Sequence, residues 1–232
     1  SNIKIDFVSA YFEAISGLTG TGFSMFDNIK YLDPTLILWR SSSQWIGGLF
    51  FLFFLILIFS NKSFNFKMTN LTYTGENILK SEQNIRDNIL KIFIYYSVLS
   101  LIYLTLLNIS GVRLFNSLNL SMTLVSGGGF LPSNNLSEII STNLQKIVII
   151  LTLTLSMLNF YFLFNLFNKK TLFREHKEDF YLLAIAIVFV FLIYLYDLDG
   201  LNIIISIISS LANSGISLIN SDNNLSLYFL LI

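Results

Sequence analysis

The sequence contains no cysteine. That excludes disulfides, thiolate metal sites and cysteine nucleophiles. A single histidine excludes most histidine-based zinc sites. Only two prolines leave helix interiors almost free of breakers. Charge is scarce too, at 12% of residues against about 25% in soluble domains. So little charge cannot cover a water-facing surface. The 14 basic residues balance the 14 acidic ones, so no polybasic face for nucleic acid is indicated. What fills the chain is apolar: 54% of its 232 residues are hydrophobic and 16% aromatic, with a mean hydropathy of +0.68. Soluble globular and disordered classes are both disfavoured, and a polytopic, all-α membrane protein is expected.

Ser1-Asn2-Ile3-Lys4-Ile5-Asp6 is polar and mixed, so no secretory signal is expected in this stretch. Residues 225–232 stop inside an apolar run. Both ends are expected to be cuts through a longer protein.

Four apolar stretches, 36–59, 89–107, 147–167 and 180–196, come close to the ~20 residues that span a bilayer. A fifth begins at Leu225. Arg40 sits near one end of the first, where its side chain is expected to snorkel to the interface. Three shorter stretches, 10–18, 115–125 and 201–211, are too short to span and fit re-entrant segments. Each runs into a polar, glycine-containing stretch: Thr19-Gly20-Thr21-Gly22-Phe23, Ser126-Gly127-Gly128-Gly129-Phe130 and Ala212-Asn213-Ser214-Gly215-Ile216. Irregular backbone at membrane depth survives only where protein buries it or it lines a watery cavity. The pattern reads as repeats of spanning helix, re-entrant helix, glycine loop and spanning helix. Gly22 and Gly129 are 107 positions apart, and Gly129 and Gly215 are 86 apart. Most of the difference lies in the segment 60–88, longer than its counterpart 168–179. The expected units are 1–60, 61–168 and 169–232, the first without its outer helix and the third cut in its inner helix.

Nine of the 14 basic residues fall in two loops: Lys62, Lys67, Lys80, Arg86 and Lys91, then Lys169, Lys170, Arg174 and Lys177. That side is expected to be cytoplasmic. The glycine loops then open outward, with Lys4, Lys30, Arg40, Arg113 and Lys146. The outer segments also carry Asp6, Glu13, Asp27, Asp33, Glu138, Asp197, Asp199 and Asp222. These acids read as solvated interfacial groups; the alternative is that some draw cations to an outer mouth.

The glycine loops point to cation chemistry. A desolvated K⁺ or Na⁺ needs several oxygen ligands, and backbone carbonyls supply them without a trapping counter-charge. Glycine allows the backbone angles that aim successive carbonyls at one axis. A re-entrant helix ending before the loop adds the negative end of its dipole. The expected ion-binding residues are Thr19, Gly20, Thr21, Gly22, Ser126, Gly127, Gly128, Gly129, Ala212, Asn213, Ser214 and Gly215. The bland alternative is that small residues there serve helix packing or turns. Phe23 and Phe130 follow the last glycine of their loops and are expected to wedge each loop against its helix. Gly47-Gly48 reads as a close-packing site rather than a hinge. His176 reads as a solvated loop histidine. Asp197 and Asp199 would suit an intramembrane aspartyl protease only with a second Gly-x-Gly-Asp element, which the sequence lacks, so no enzyme is expected.

Phe12-Glu13-Ala14-Ile15-Ser16-Gly17-Leu18-Thr19-Gly20-Thr21-Gly22-Phe23-Ser24 and Leu38-Trp39-Arg40-Ser41-Ser42-Ser43-Gln44-Trp45-Ile46-Gly47-Gly48 resemble the first pore loop and inner helix of the Trk/Ktr potassium transporters. Ser126-Gly127-Gly128-Gly129-Phe130 resembles the second pore loop of that family, and Ser210-Leu211-Ala212-Asn213-Ser214-Gly215, less closely, the third. Residues 173–180 sit where the family has a short cytoplasmic link. The resemblance implies four outer helix–pore loop–inner helix repeats around a central pathway. On that alignment the chain begins at the first pore helix and ends inside the third inner helix. The fourth repeat and the gating membrane loop then lie outside it. Gly22, Gly129 and Gly215 take the filter-glycine position, and the family associates glycine at the first with K⁺ and serine with Na⁺. The implied function is potassium uptake through a carbonyl-lined filter; the alternatives are a pore for Na⁺ or another monovalent cation, or a membrane scaffold on the same repeats. The resemblance also implies a homodimer, a cytosolic nucleotide-binding regulatory subunit, no cofactor, and a prokaryotic inner membrane. The third loop departs from the family with Ala212-Asn213-Ser214, where small hydroxyl residues are usual. Arg113, before the second pore helix, places a cation near the outer mouth.

Overall fold

Apolar runs with almost no proline fold as helices, and only helices and short turns are found among the described residues. A computed structural model describes residues 6–60, 85–158, 177–194, 200–216 and 218. Its helices are α1 (Phe7–Leu18), α2 (Pro34–Ser60), α3 (Ile85–Ile109), α4 (Leu114–Val125), α5 (Asn143–Met157), α6 (Lys177–Tyr194) and α7 (Gly200–Leu211). Single 3-10 turns cover Ile29–Tyr31 and Leu136–Glu138.

The three short apolar stretches are α1, α4 and α7, each of 12 residues. At ~1.5 Å per residue each is ~18 Å long, well short of a ~30 Å hydrocarbon core. They begin at Phe7, Leu114 and Gly200, so their starts keep the 107- and 86-residue offsets of the glycines. The two 3-10 turns, starting at Ile29 and Leu136, keep the first offset as well. The long stretches fall in α2, α3, α5 and α6; residues 159–167 of the third and 195–196 of the fourth lie outside the described residues. Among those described, Ile89–Ile109 is both long and apolar enough to cross a membrane. The 27-residue α2 has the length but carries Arg40 and Ser41-Ser42-Ser43-Gln44 in its first half.

Caps explain where α2 and α5 start. Asp33 Oδ1 accepts the Thr35 N–H at 2.9 Å, and Pro34 takes the first helical position, where a missing N–H costs nothing. Thr142 and Gln145 close α5 with a reciprocal capping box. The α3–α4 hairpin turns at Gly111, with φ 92°.

Packing separates buried helix faces from exposed ones. On α3, Ile92, Tyr96, Tyr103 and Leu107 are buried while Leu90, Ile94, Val98, Leu101 and Ile102 are exposed. Both faces are apolar, which suits lipid on the outside and protein on the inside. One core joins α3, α4, α5 and α7 through Leu107, Leu120, Leu124, Ile149, Leu153, Ile205 and Ile208. Helix α4 buries Ser117, Asn119, Ser121 and Thr123, each bonded back to backbone carbonyls of its own segment. Such a helix is enclosed by protein rather than by lipid.

Candidate functional site

The three short helices end in the same way. After α1, the Gly20 and Thr21 N–H groups donate to the Gly17 and Ser16 carbonyls, both at 3.1 Å. After α4, Gly127 and Gly128 donate to Leu124 and Thr123 at 3.2 and 2.8 Å. After α7, Asn213 and Ser214 donate to Ser210 and Ser209 at 3.1 and 3.0 Å. This is the Schellman pattern, which requires a left-handed residue just past the helix. Those residues are Gly20 at φ 69°, Gly127 at 70° and Asn213 at 56°. Asparagine is the side-chain-bearing residue that best tolerates this region, so the third loop changes its residue and keeps its backbone.

The loops then touch. A Cβ at Gly22 would lie 2.9 Å from the N and Cα of Gly129. One at Gly129 would collide with the Ser214 carbonyl oxygen and lie 3.7 Å from the Gly22 Cα. One level earlier, a Cβ at Gly20 would lie 4.0 Å from the Ser126 carbonyl, and one at Gly127 would lie 3.9 Å from the Ala212 carbonyl. The second loop therefore sits between the first and third, with backbone against backbone. The four-residue segments that start at Thr19, Ser126 and Ala212 thus form one cluster, and the ends of α1, α4 and α7 converge on it.

The fastenings differ. Ser16 Oγ donates to the Phe23 carbonyl at 2.6 Å, and Ser209 Oγ accepts the Ile216 N–H at 2.6 Å. Both ties run from a short helix to the residue after its own loop. Thr123 holds the equivalent place in α4 but donates to Leu120. The Phe130 N–H instead donates to Gln44 Oε1 of α2 at 3.2 Å.

Behind the first loop lies a buried ion pair. Arg40 Nε is 2.7 Å from Glu13 Oε1. Glu13 also accepts the Ser24 hydroxyl at 3.1 Å and the Met25 N–H at 2.9 Å. Arg40 Nη2 donates to Ser24 Oγ at 3.0 Å, and its guanidinium covers the Phe130 ring at 4.2 Å. Arg40 is 1% exposed. The expected snorkelling of Arg40 is therefore wrong: a lone acid on α1 and a lone base on α2 neutralise each other inside the protein. The same pair removes Glu13 from the solvated outer acids. Asp6, Asp27, Asp33 and Glu138 are exposed as expected, and Asp197, Asp199 and Asp222 lie outside the described residues.

One further expectation changes. Phe130 is 1% exposed and wedged under Arg40, but Phe23 is 68% exposed and wedges nothing among the described residues. Arg113 is exposed at the N-cap of α4, ~18 Å along that helix from the glycine loop. The basic loops used for orientation lie mostly outside the described residues, as does His176.

No family model matches the chain. An uncharacterized cation transporter of Methanocaldococcus jannaschii is 27% identical over 231 residues, covering 97% of this chain and 47% of that protein. The Trk system potassium uptake protein TrkG of Escherichia coli is 25% identical over 220 residues, covering 86% of this chain and 44% of its own length. The crystal structure of the potassium transporter TrkH from Vibrio parahaemolyticus superposes with a TM-score of 0.70 at 17% identity, over 90% of this chain and 44% of that one. The chain is similar to cation and potassium transporters, Trk proteins among them, and shares the fold of TrkH. It spans about half the length of the relatives it matches.

The segment from Arg40 to Gly48 is a set of contacts to two loops. A Cβ at Gly47 would strike the Leu18 carbonyl at the end of α1. One at Gly48 would lie 2.9 Å from the Ser126 Cβ and 2.8 Å from the Tyr96 hydroxyl. Both glycines thus serve close packing, as the sequence suggests. Trp45 packs on Tyr96, with ring centroids 5.3 Å apart. Outside the loops, Asn134 Oδ1 accepts the Ile29 N–H at 2.6 Å and its amide donates to Asn28 at 3.0 Å, tying the segments just beyond the first two loops. Gln44, Ser16, Ser209 and Asn134 are missing from the sequence-based site. Ser16, Thr123 and Ser209 repeat at the glycine offsets, a signal readable in the sequence; Gln44 and Asn134 give none.

Proposed function

We propose that this chain is part of the pore-forming membrane subunit of a potassium uptake system, with the three glycine loops as parts of its selectivity filter. The observation that carries the reading is the backbone contact of Gly22, Gly129 and Ser214, with each loop entered through the same left-handed turn. Carbonyl ligands need that kind of backbone, because side chains at these glycines would fill the space between loops. The converging ends of α1, α4 and α7 add partial negative charge where a cation would sit.

On this reading K⁺ passes in single file, shedding water for carbonyl oxygens, and is cargo rather than cofactor. Thr19, Gly20, Thr21 and Gly22, then Ser126, Gly127, Gly128 and Gly129, then Ala212, Asn213, Ser214 and Gly215, supply the ligands. The units 1–60, 61–168 and 169–232 are the repeats that carry them, and equal helix lengths at the glycine offsets support that division. The relatives described as potassium uptake protein and potassium transporter favour K⁺. The relative described only as a cation transporter leaves Na⁺ as the alternative cargo. A homodimer, a cytosolic nucleotide-binding regulatory subunit and a prokaryotic inner membrane complete the proposal.

The test is growth of a strain lacking K⁺ uptake at low K⁺, with the full-length protein supplied. Restored growth is expected. Protein present in the membrane without growth or K⁺ flux contradicts the proposal, and flux of Na⁺ alone selects the alternative.

A further inference from the structure

The second glycine loop is the one that lacks a hydroxyl at its third position. The first loop has Thr21 there and the third has Ser214, where the second has Gly128. Thr21 Oγ1 pairs with Thr19 Oγ1 at 2.6 Å, and Ser214 Oγ pairs with Ser209 Oγ at 3.0 Å. The space that a side chain at Gly128 would need is already occupied. A Cβ there would collide with Oε1 and Cδ of Gln44 and lie 2.7 Å from its Nε2. Gln44 is 0% exposed, and its Oε1 accepts the Phe130 N–H two residues further on. That bond decides which end of the amide is oxygen. Nε2 is buried and has no partner. One helical turn earlier on α2, Arg40 covers the ring of the same Phe130. A single amide from another repeat thus fills the place of the missing side chain and satisfies a loop N–H.

We propose that Gln44 is a positioning residue for the second loop, so that ion preference at this loop is set from α2 and not from its own short helix. The inference rests on reading the loops as a filter. It ties the carbonyl geometry of the second loop to the position of α2, because α4 supplies no bond of the kind Ser16 and Ser209 make.

The test measures K⁺ and Na⁺ uptake by the full-length protein in cells, corrected for its abundance in the membrane. Gln44→Ala strands the Phe130 N–H and is expected to lower the K⁺/Na⁺ uptake ratio about tenfold. Gln44→Glu keeps an acceptor and retains most of the ratio. Gly128→Ser alone collides with Gln44 and loses uptake. The double variant Gln44→Ala with Gly128→Ser gives the loop a hydroxyl of its own and recovers the ratio to within about threefold, a non-additive result that contacting residues show. Gly22→Ser in the first loop is the reference. If it shifts the ratio while Gln44→Ala does not, the inference falls and the filter reading stands. If neither shifts the ratio, both fall. If Gln44→Ala lowers abundance or both fluxes alike with an unchanged ratio, Gln44 is only a packing residue and the inference is overturned.

Discussion

The first glycine loop leaves Phe23 exposed, whereas the second buries Phe130, although both residues come directly after the last glycine of their loops. The backbones of the two loops match: Gly20 and Gly127 take φ 69° and 70°, with the same pair of turn hydrogen bonds. What differs is the neighbour. Phe130 lies against Arg40 of α2, 90 positions earlier in the chain. Backbone geometry is thus set locally, by a helix end and a left-handed residue, while the second loop takes its fastening from α2.

The largest effect is expected where the two loops share a support. Arg40→Ala leaves Glu13 buried and unpaired, at a cost of about 3–5 kcal/mol. Detergent-purified full-length protein should unfold at a markedly lower temperature, and uptake should be lost. Retention of wild-type thermal stability would separate the first loop from this pair.

Next come the glycines that admit the loops to α2. Gly47→Ala drives a Cβ into the Leu18 carbonyl and should cost about 1–3 kcal/mol through displacement of α1. Gly48→Ala meets the Ser126 side chain and the Tyr96 hydroxyl, so it strains the second loop instead. Comparing ion selectivity between these two variants would show whether each loop can be disturbed alone.

The third loop gives a smaller contrast. Asn213→Ala should cost about 1–2 kcal/mol because alanine resists the left-handed region, whereas Asn213→Gly should be nearly neutral. Equal losses for both variants would mean that the asparagine side chain, and not the backbone angle, matters there.

The smallest effect is at the start of α2, away from all three loops. The backbone N–H and hydroxyl of Thr35 hold the Asp33 carboxyl below its ordinary range. A carboxylate with a lowered native value stabilises the fold above its unfolded pKa, and loses that contribution as pH falls through the native value. Asp33→Ala should therefore lower the melting temperature slightly at neutral pH and not at strongly acidic pH. A difference that persists in acid would contradict a charged cap.

Much of this is legible in the sequence. The three short apolar runs, their offsets and the glycines after them define α1, α4, α7 and the loops. Those features depend on nearest neighbours along the chain, which local propensity and run length report. Arg40 is misread because composition registers a charge near a helix end without showing that Glu13, 27 residues earlier, faces it. Gln44 carries no signal, since nothing local says that its amide reaches a loop 86 residues away. Phe23 and Phe130 recur in sequence, but recurrence fixes the position and leaves the partner open.

The most direct test of the central claim is the K⁺/Na⁺ uptake ratio of Gly22→Ser in the full-length protein, at matched membrane abundance. If the glycine loops form the filter, the ratio falls well below that of the wild type. An unchanged ratio with intact K⁺ uptake would contradict the account.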